Sequence, residues 1–380
     1  MKFLMISSFL PSVLNFRGKL LKEIATQDYE IHIMAPEFAS FPEELQKLEA
    51  LGYHLHEIPM QRTGTNLIAD LRLLKNLYQQ IRHIQPDYVL SYTIKPVIYG
   101  MLASWLAKVP HRFALITGLG YAFQNVESGK RSLFQKMVHS LYAQALKYSD
   151  KVFFQNPDDL KLFQDMHLLE AHKLTVVVNG SGVNVQDFDI MPLPKNAQGQ
   201  LRASFLLIAR LLGDKGVREY AESARIIKAQ YPEADFHLVG WIDDNPSAIS
   251  QAELDEWIAD GRLKYWGKLR DVRPAIAESS VYVLPSYREG TPRTVLEAMA
   301  MGRAVITTDA PGCRETVSNG VNGYLVGVKS VDDLVQAMQY FIEDPKLIES
   351  MGQCSRKIAL NKYDVQQVNQ HMLIEMQLIS

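Results

Sequence analysis

Cysteine is nearly absent: Cys313 and Cys354 are the only two in 380 residues. Such a pair builds neither a disulfide framework nor a cysteine metal site, so a reducing cytoplasm is the default compartment. Long apolar runs are missing as well. No stretch approaches the roughly 18 residues that cross a bilayer. The apolar start is cut by Pro11 and followed by Asn15 and Arg17, which reads as a buried first strand and a loop rather than an export signal. An excess of one charge is also lacking. Forty Lys and Arg face 42 Asp and Glu, a net charge of −2, which argues against nucleic acid as the main partner. There is no internal repeat and no low-complexity segment. The 10 histidines show no ligand spacing, and His54 and His56 fall on one face of a strand.

What is present is the composition of a soluble enzyme, 47% hydrophobic and 22% charged. The length exceeds one typical core, so two domains are expected. Short apolar runs alternate with helical patterns throughout, the βαβ signature of parallel sheets covered by helices. Strands are expected over 2–7, 31–35, 54–58, 88–91, 112–117, 151–155 and 174–178, and then over 205–209, 235–239, 263–266, 281–285, 304–308 and 323–326. Helices are expected over 69–83, 96–107, 132–148, 217–230 and 331–343. The stretch 189–202 has two prolines and no periodicity. The expected division is therefore a Rossmann-like domain over 1–190, a linker over 191–202, a second Rossmann-like domain over 203–362 and a C-terminal helix over 363–380 packing back toward the first domain. The fold class is α/β, with two doubly wound sheets whose strand ends face a shared cleft.

The run 286–302 carries two acids, Glu289 and Glu297, between a buried strand at Tyr282–Leu284 and a helix start. Gly290 and Thr291 make the turn, and Pro292 suits a first helical turn because its missing N–H costs nothing there. Amides at that turn suit a phosphate. Glu297 lies too deep in the helix to face a phosphate and is better placed to accept hydrogen bonds from hydroxyls. The spacing fits a nucleotide sugar, and it equally fits a surface helix with two solvated acids. A second loop, after the strand at Phe205–Ala209, holds Arg210 and Lys215. A guanidinium and an ammonium there neutralise a pyrophosphate. Asp243 and Asp244 form an acidic pair that we do not read as a metal site, and Cys313 reads as an ordinary thiol.

Arg210, Lys215-Gly216, the loop Gly240–Pro246 and the pair Glu289 and Glu297, in this order and spacing, resemble the donor domain of family 4 glycosyltransferases of the GT-B fold. The resemblance extends over nearly the whole chain, including Asn179–Asn184, Phe113–Tyr121 and Asn15-Phe16-Arg17. It is nearest to bacterial enzymes that add a hexose or N-acetylhexosamine to undecaprenyl-diphosphate-linked sugars, such as the hexosaminyltransferases of bacterial protein N-glycosylation. It implies a retaining enzyme with a UDP-sugar donor, a lipid-linked diphosphate sugar acceptor, no cofactor and no metal. It implies that Arg210 and Lys215 hold the donor diphosphate, that Glu289 contacts the transferred sugar, that Glu297 binds the ribose, and that backbone at Gly290 and Thr291 completes the phosphate site. Catalysis then rests on positioning and charge stabilisation.

Two positions depart from the family. Asn184 stands where an aspartate is common, and Thr117-Gly118-Leu119-Gly120 stands where several members carry a histidine. Gly118 and Gly120 suggest close backbone approach, to a ligand or to a packed helix. On the acceptor side the candidates are Asn15, Arg17, Lys95, Thr117 and Gly118, at loops that follow strands. Between 60 and 151, twelve Lys and Arg face four Asp and Glu. With Leu133, Phe134, Met137, Leu141 and Tyr142 this suits an anionic membrane surface, and hence a peripheral location on the inner face of the cytoplasmic membrane. A sugar-nucleotide epimerase of the same build and a two-domain solute-binding protein are the alternatives. The first would not need the basic surface; the second predicts an export signal.

Overall fold

The computed structural model describes residues 1–61, 66–119, 123, 129–196, 198–243, 245 and 247–379, without the side chains of 129–134. The chain forms two compact units, Met1–Ser181 with Asn369–Ser380, and Gly182–Val368. Each is built on a parallel sheet.

In the first unit the strands are β1 Lys2–Ile6, β2 Glu30–Ala35, β3 His54–Glu57, β4 Tyr88–Tyr92, β5 His111–Ile116, β6 Lys151–Phe154 and β7 Leu174–Val177, in the order β3-β2-β1-β4-β5-β6-β7. In the second they are β8 Ser204–Ile208, β9 Asp235–Val239, β10 Lys264–Tyr265, β11 Val281–Leu284, β12 Ala304–Thr308 and β13 Gly323–Val326, in the order β10-β9-β8-β11-β12-β13. The central strands β4, β8, β11 and β12 are buried at every residue, as expected of parallel strands covered on both faces. Strand order reverses between β1 and β4 in one unit and between β8 and β11 in the other. Crevices beyond the carboxyl ends of strands at such reversals are where ligands bind to doubly wound sheets.

The units divide at Ser181 and Gly182, ahead of the boundary at 190 read from the sequence. Contacts distant in sequence set the division. Val183 exchanges backbone hydrogen bonds with Tyr363 and Val365, at 2.8 and 3.0 Å. Arg356 donates to the carbonyls of Val185 and Phe188. The stretch 191–202 is likewise part of the second unit. Arg303, 1% exposed, donates to the carbonyls of Met191 and Pro192 as well as Ile276, Ala277 and Met301. Burial pulls its guanidinium down to about 10. At the other end of the chain, Met372, Leu373 and Met376 join the first unit's core beside Phe3 and Met5.

The helix Gly129–Lys147 corrects one reading. Tyr142 is 1% exposed in the core, and Leu141 packs against the same core. Among its described side chains Met137 is the only large apolar one exposed. Periodicity alone did not separate its buried face from its solvent face. Leu133 and Phe134 lie outside the described side chains. No helix among the described residues is long and apolar enough to cross a membrane.

Candidate active site

Two loops of the second unit meet at the reversal between β8 and β11. The first leaves β8 through Arg210 and turns over Gly213–Lys215 into the helix Val217–Gln230. Gly216 holds φ at +69°, and a Cβ there would lie 2.2 Å from the carbonyl oxygen of Pro285. Glycine is therefore required for the two loops to touch. The second loop follows β11. Its Tyr287 amide and Ser286 hydroxyl donate to the Asp214 carbonyl, at 2.9 and 3.2 Å. The Tyr287 hydroxyl donates to Glu219 at 2.5 Å, and burial is the main force raising its pKa.

This joint brings Lys215 and Glu289 together. Their Nζ and Oε1 are 2.5 Å apart, and both side chains are mostly buried. Arg210 sits beside Asp243 at 3.1 Å. Both cations of the expected diphosphate site thus rest on carboxylates. Asp243, read from the sequence only as half of an acidic pair, is the Arg210 partner; Asp244 and Pro246 lie outside the described residues.

The turn at Gly290 and Thr291 leads to Pro292, the N-cap of the helix Arg293–Ala300. The Glu289 amide donates to the Pro311 carbonyl at 2.9 Å. Gly312, at φ +79°, lets the Glu289 carbonyl approach where a Cβ would lie 2.1 Å from it. Glu297 is not a solvated surface acid. It is 6% exposed and pairs with Arg293 one turn earlier, at 2.8 Å. Burial raises its carboxyl pKa, and Arg293 opposes the shift. The Arg293 to Glu297 spacing of one helical turn is a signal the sequence carries for this pair; Gly312 has no local signal. Cys313 is buried against the Ser286 carbonyl, and burial pushes its thiol up to about 12, away from the thiolate form that reacts.

In the first unit the reversal between β1 and β4 gathers a polar cluster. The Tyr92 hydroxyl lies 2.8 Å from the Ser7 oxygen and 2.7 Å from the Ser12 oxygen. Thr93, a β-branched residue at φ +71°, donates to Ser8 at 2.7 Å. Strain of this kind is held by surrounding structure and collects at functional sites. Arg17 is buried with its guanidinium 5.8 Å from the Tyr92 ring centroid. Asn15 is exposed on the same π-helical turn, Val13–Arg17.

Lys95 is neither solvated nor bare. It pairs with Asp70 at 2.8 Å, and Asp70 accepts from Tyr99 at 3.0 Å. Thr117 and Gly118 are half-buried just beyond β5. Among the described residues, no atom lies within 4 Å of a Cβ built on Gly118. Gly120 lies outside the described residues. Asn184 shapes a local turn, donating to Asp187.

Residues 202–344 match a family model described as glycosyl transferases group 1, and residues 11–156 match one described as glycosyl transferase 4-like. The chain is 30% identical, over 95% of its length and 94% of the relative's, to the N,N'-diacetylbacillosaminyl-diphospho-undecaprenol alpha-1,3-N-acetylgalactosaminyltransferase of Campylobacter jejuni. It belongs to these glycosyltransferases. A second relative of the transferase, 26% identical over 81% of this chain and 79% of the other, is the UDP-Gal:alpha-D-GlcNAc-diphosphoundecaprenol alpha-1,3-galactosyltransferase of Escherichia coli. Among solved structures, Anabaena HepE in complex with UDP superposes with a TM-score of 0.76 at 20% identity, covering 100% of both chains. A Rickettsia africae glycosyltransferase superposes equally, covering 99% of this chain and 98% of its own. The transferase thus has the GT-B fold of two Rossmann-like domains.

Proposed function

We propose that this glycosyltransferase moves a hexose or N-acetylhexosamine from a UDP-sugar to an undecaprenyl-diphosphate-linked sugar, with retention at the anomeric carbon. The observation that carries the reading is near-full-length similarity to a transferase named for an undecaprenol diphosphate acceptor, in a chain whose Lys215 and Glu289 are in contact. The second relative, named for UDP-Gal and a diphosphoundecaprenol acceptor, supports it.

In this reading the donor diphosphate displaces carboxylates from cations that are already in place. Arg210 exchanges Asp243 for phosphate, and Lys215 shares its protons between Glu289 and the β-phosphate. Amides at Gly290 and Thr291 meet the same diphosphate at the helix start. Glu289 accepts from hydroxyls of the transferred sugar, and Glu297 from the ribose. The bond from the anomeric carbon to the β-phosphate oxygen breaks as the acceptor oxygen bonds to that carbon on the same face. The departing phosphate oxygen takes the acceptor hydroxyl's proton. Lys215 and Arg210 stabilise the charge that grows on UDP, and no metal or cofactor is required.

The acceptor falls to the first unit. Arg17, Asn15, Lys95, Thr117 and Gly118 surround the ends of β1, β4 and β5, and Lys95 reaches the acceptor diphosphate once it leaves Asp70. The enzyme works as a peripheral protein on the inner face of the cytoplasmic membrane.

A panel of nucleotide sugars with a membrane fraction containing lipid-linked acceptors, read by mass spectrometry, tests this. A UDP-hexose or UDP-N-acetylhexosamine should add one sugar mass to the lipid-linked acceptor. Conversion of the nucleotide sugar alone, with no mass added to any acceptor, would establish the epimerase instead.

A further inference from the structure

The helix Leu67–Ile84 has one apolar face more than the fold uses. Asn66 caps its start, its side chain accepting from the amides of Ile68 and Ala69, and Gln85 ends it at φ +53°. Leu73, Leu77, Ile81 and Ile84 are buried in the first unit's core. On the opposite side stand Ile68 and Leu71, 63% and 58% exposed, with Tyr78 further along. Their helical spacing interleaves them with Arg72, Lys75 and Arg82, all exposed. The only carboxylate on the helix, Asp70, turns away to Lys95 and Tyr99. The outer stripe therefore combines apolar side chains and positive charge with no acid to offset them.

We propose that this stripe is the membrane-docking element, and that its partner is an anionic phospholipid surface. The inference rests on the lipid-linked acceptor proposed above and assigns the docking to one helix. A helix lying in a bilayer interface needs apolar side chains on one face and cations beside them to meet lipid phosphates. Long Arg and Lys stems reach outward while Ile68 and Leu71 enter the acyl boundary, and Tyr78 suits the headgroup level. The helix Gly129–Lys147, basic in sequence, offers only Met137 among its described apolar side chains.

Co-sedimentation of the full chain with vesicles of phosphatidylcholine alone, or with phosphatidylglycerol added, tests the assignment. Binding should need the anionic lipid and weaken with salt. I68S/L71S and R72E/K75E should each lower partition by about tenfold or more. M137S/K147E on the other helix should change it little. Circular dichroism and light scattering of each variant check fold and oligomeric state. Undiminished vesicle binding in the Ile68 and Arg72 variants, or no binding by the parent chain, would overturn the proposal. So would a dimer that these substitutions dissolve, since the stripe would then serve a second copy. Turnover of a short-chain, water-soluble diphosphate-sugar acceptor separates the two ideas. Full turnover in variants that no longer bind vesicles supports the docking role. Absence of turnover in the parent chain counts against the proposed reaction and leaves the vesicle result to decide the surface.

Discussion

Lys215 and Glu289 lie in different loops of one sheet, yet Nζ and Oε1 are 2.5 Å apart. The acid holds the ammonium in place and also competes with any phosphate that binds it. Glu289→Gln should therefore tighten UDP severalfold by calorimetry while lowering kcat, because a product-like anion gains what the acid gives up. Lys215→Ala should weaken UDP and lower kcat by roughly 10²–10³. If Glu289→Gln weakened UDP, the carboxylate would not be a competitor for the cation.

Glu297 is tested through the donor. A charge-assisted hydrogen bond to a ribose is worth about 1.5–3 kcal/mol, so Glu297→Ala should raise the donor KM by roughly 10- to 100-fold. The acceptor KM should stay put. Steady-state kinetics with each substrate varied in turn reads this, and an unchanged donor KM removes the ribose role.

Gly312→Ala should disturb the site through its backbone. Its φ of +79° strains any side chain, and the new Cβ would sit 2.1 Å from the Glu289 carbonyl oxygen. A loss of roughly 2–4 kcal/mol in urea unfolding is expected, accompanied by weaker UDP binding. Gly320→Ala is the control for strain alone, since at φ +76° nothing among the described residues lies within 4 Å of its Cβ.

Acid stability of the first unit should depend on His32. It lies between His56 and Glu30, each at 3.0 Å, and stacks on His54 across β2 and β3. Burial, with His56 second, lowers its pKa to about 4. The neutral ring fits, donating from Nε2 to Glu30 and accepting at Nδ1 from His56. The unfolded chain binds this proton near pH 6.5 and the folded one near 4, so stability falls as pH drops through that window. His32→Phe should flatten the loss, as read by thermal melts between those limits; an unchanged slope would clear His32 of the role.

The strands were legible because each is a short apolar run between turn residues, and parallel strands buried on both faces leave that signature wherever they occur. Arg210, Lys215 and Glu289 were legible because strand ends in such sheets face ligands. Their partners were not. Asp243 reaches Arg210 from the next βα loop, and only the strand order brings those loops side by side. The boundary at Ser181 was hidden for a related reason, since Tyr363 and Arg356 define it from far along the chain. Leu141 and Tyr142 show the limit of composition: a basic, aromatic helix is described equally well whichever face points inward.

Two π-helical turns, Val13–Arg17 and Pro96–Gly100, lead from β1 and β4 into their helices. A π turn holds an additional residue relative to an α turn. Chain length at these points is thus uncoupled from the packing that follows. Removing exposed Asn15 should relax the first turn to α geometry while Ser12 before it and Leu20, Leu21 and Ile24 after it keep their present faces. Single-residue insertions and deletions, ruinous inside most helices, offer this scaffold a way to redraw what it accepts without rebuilding what holds it up.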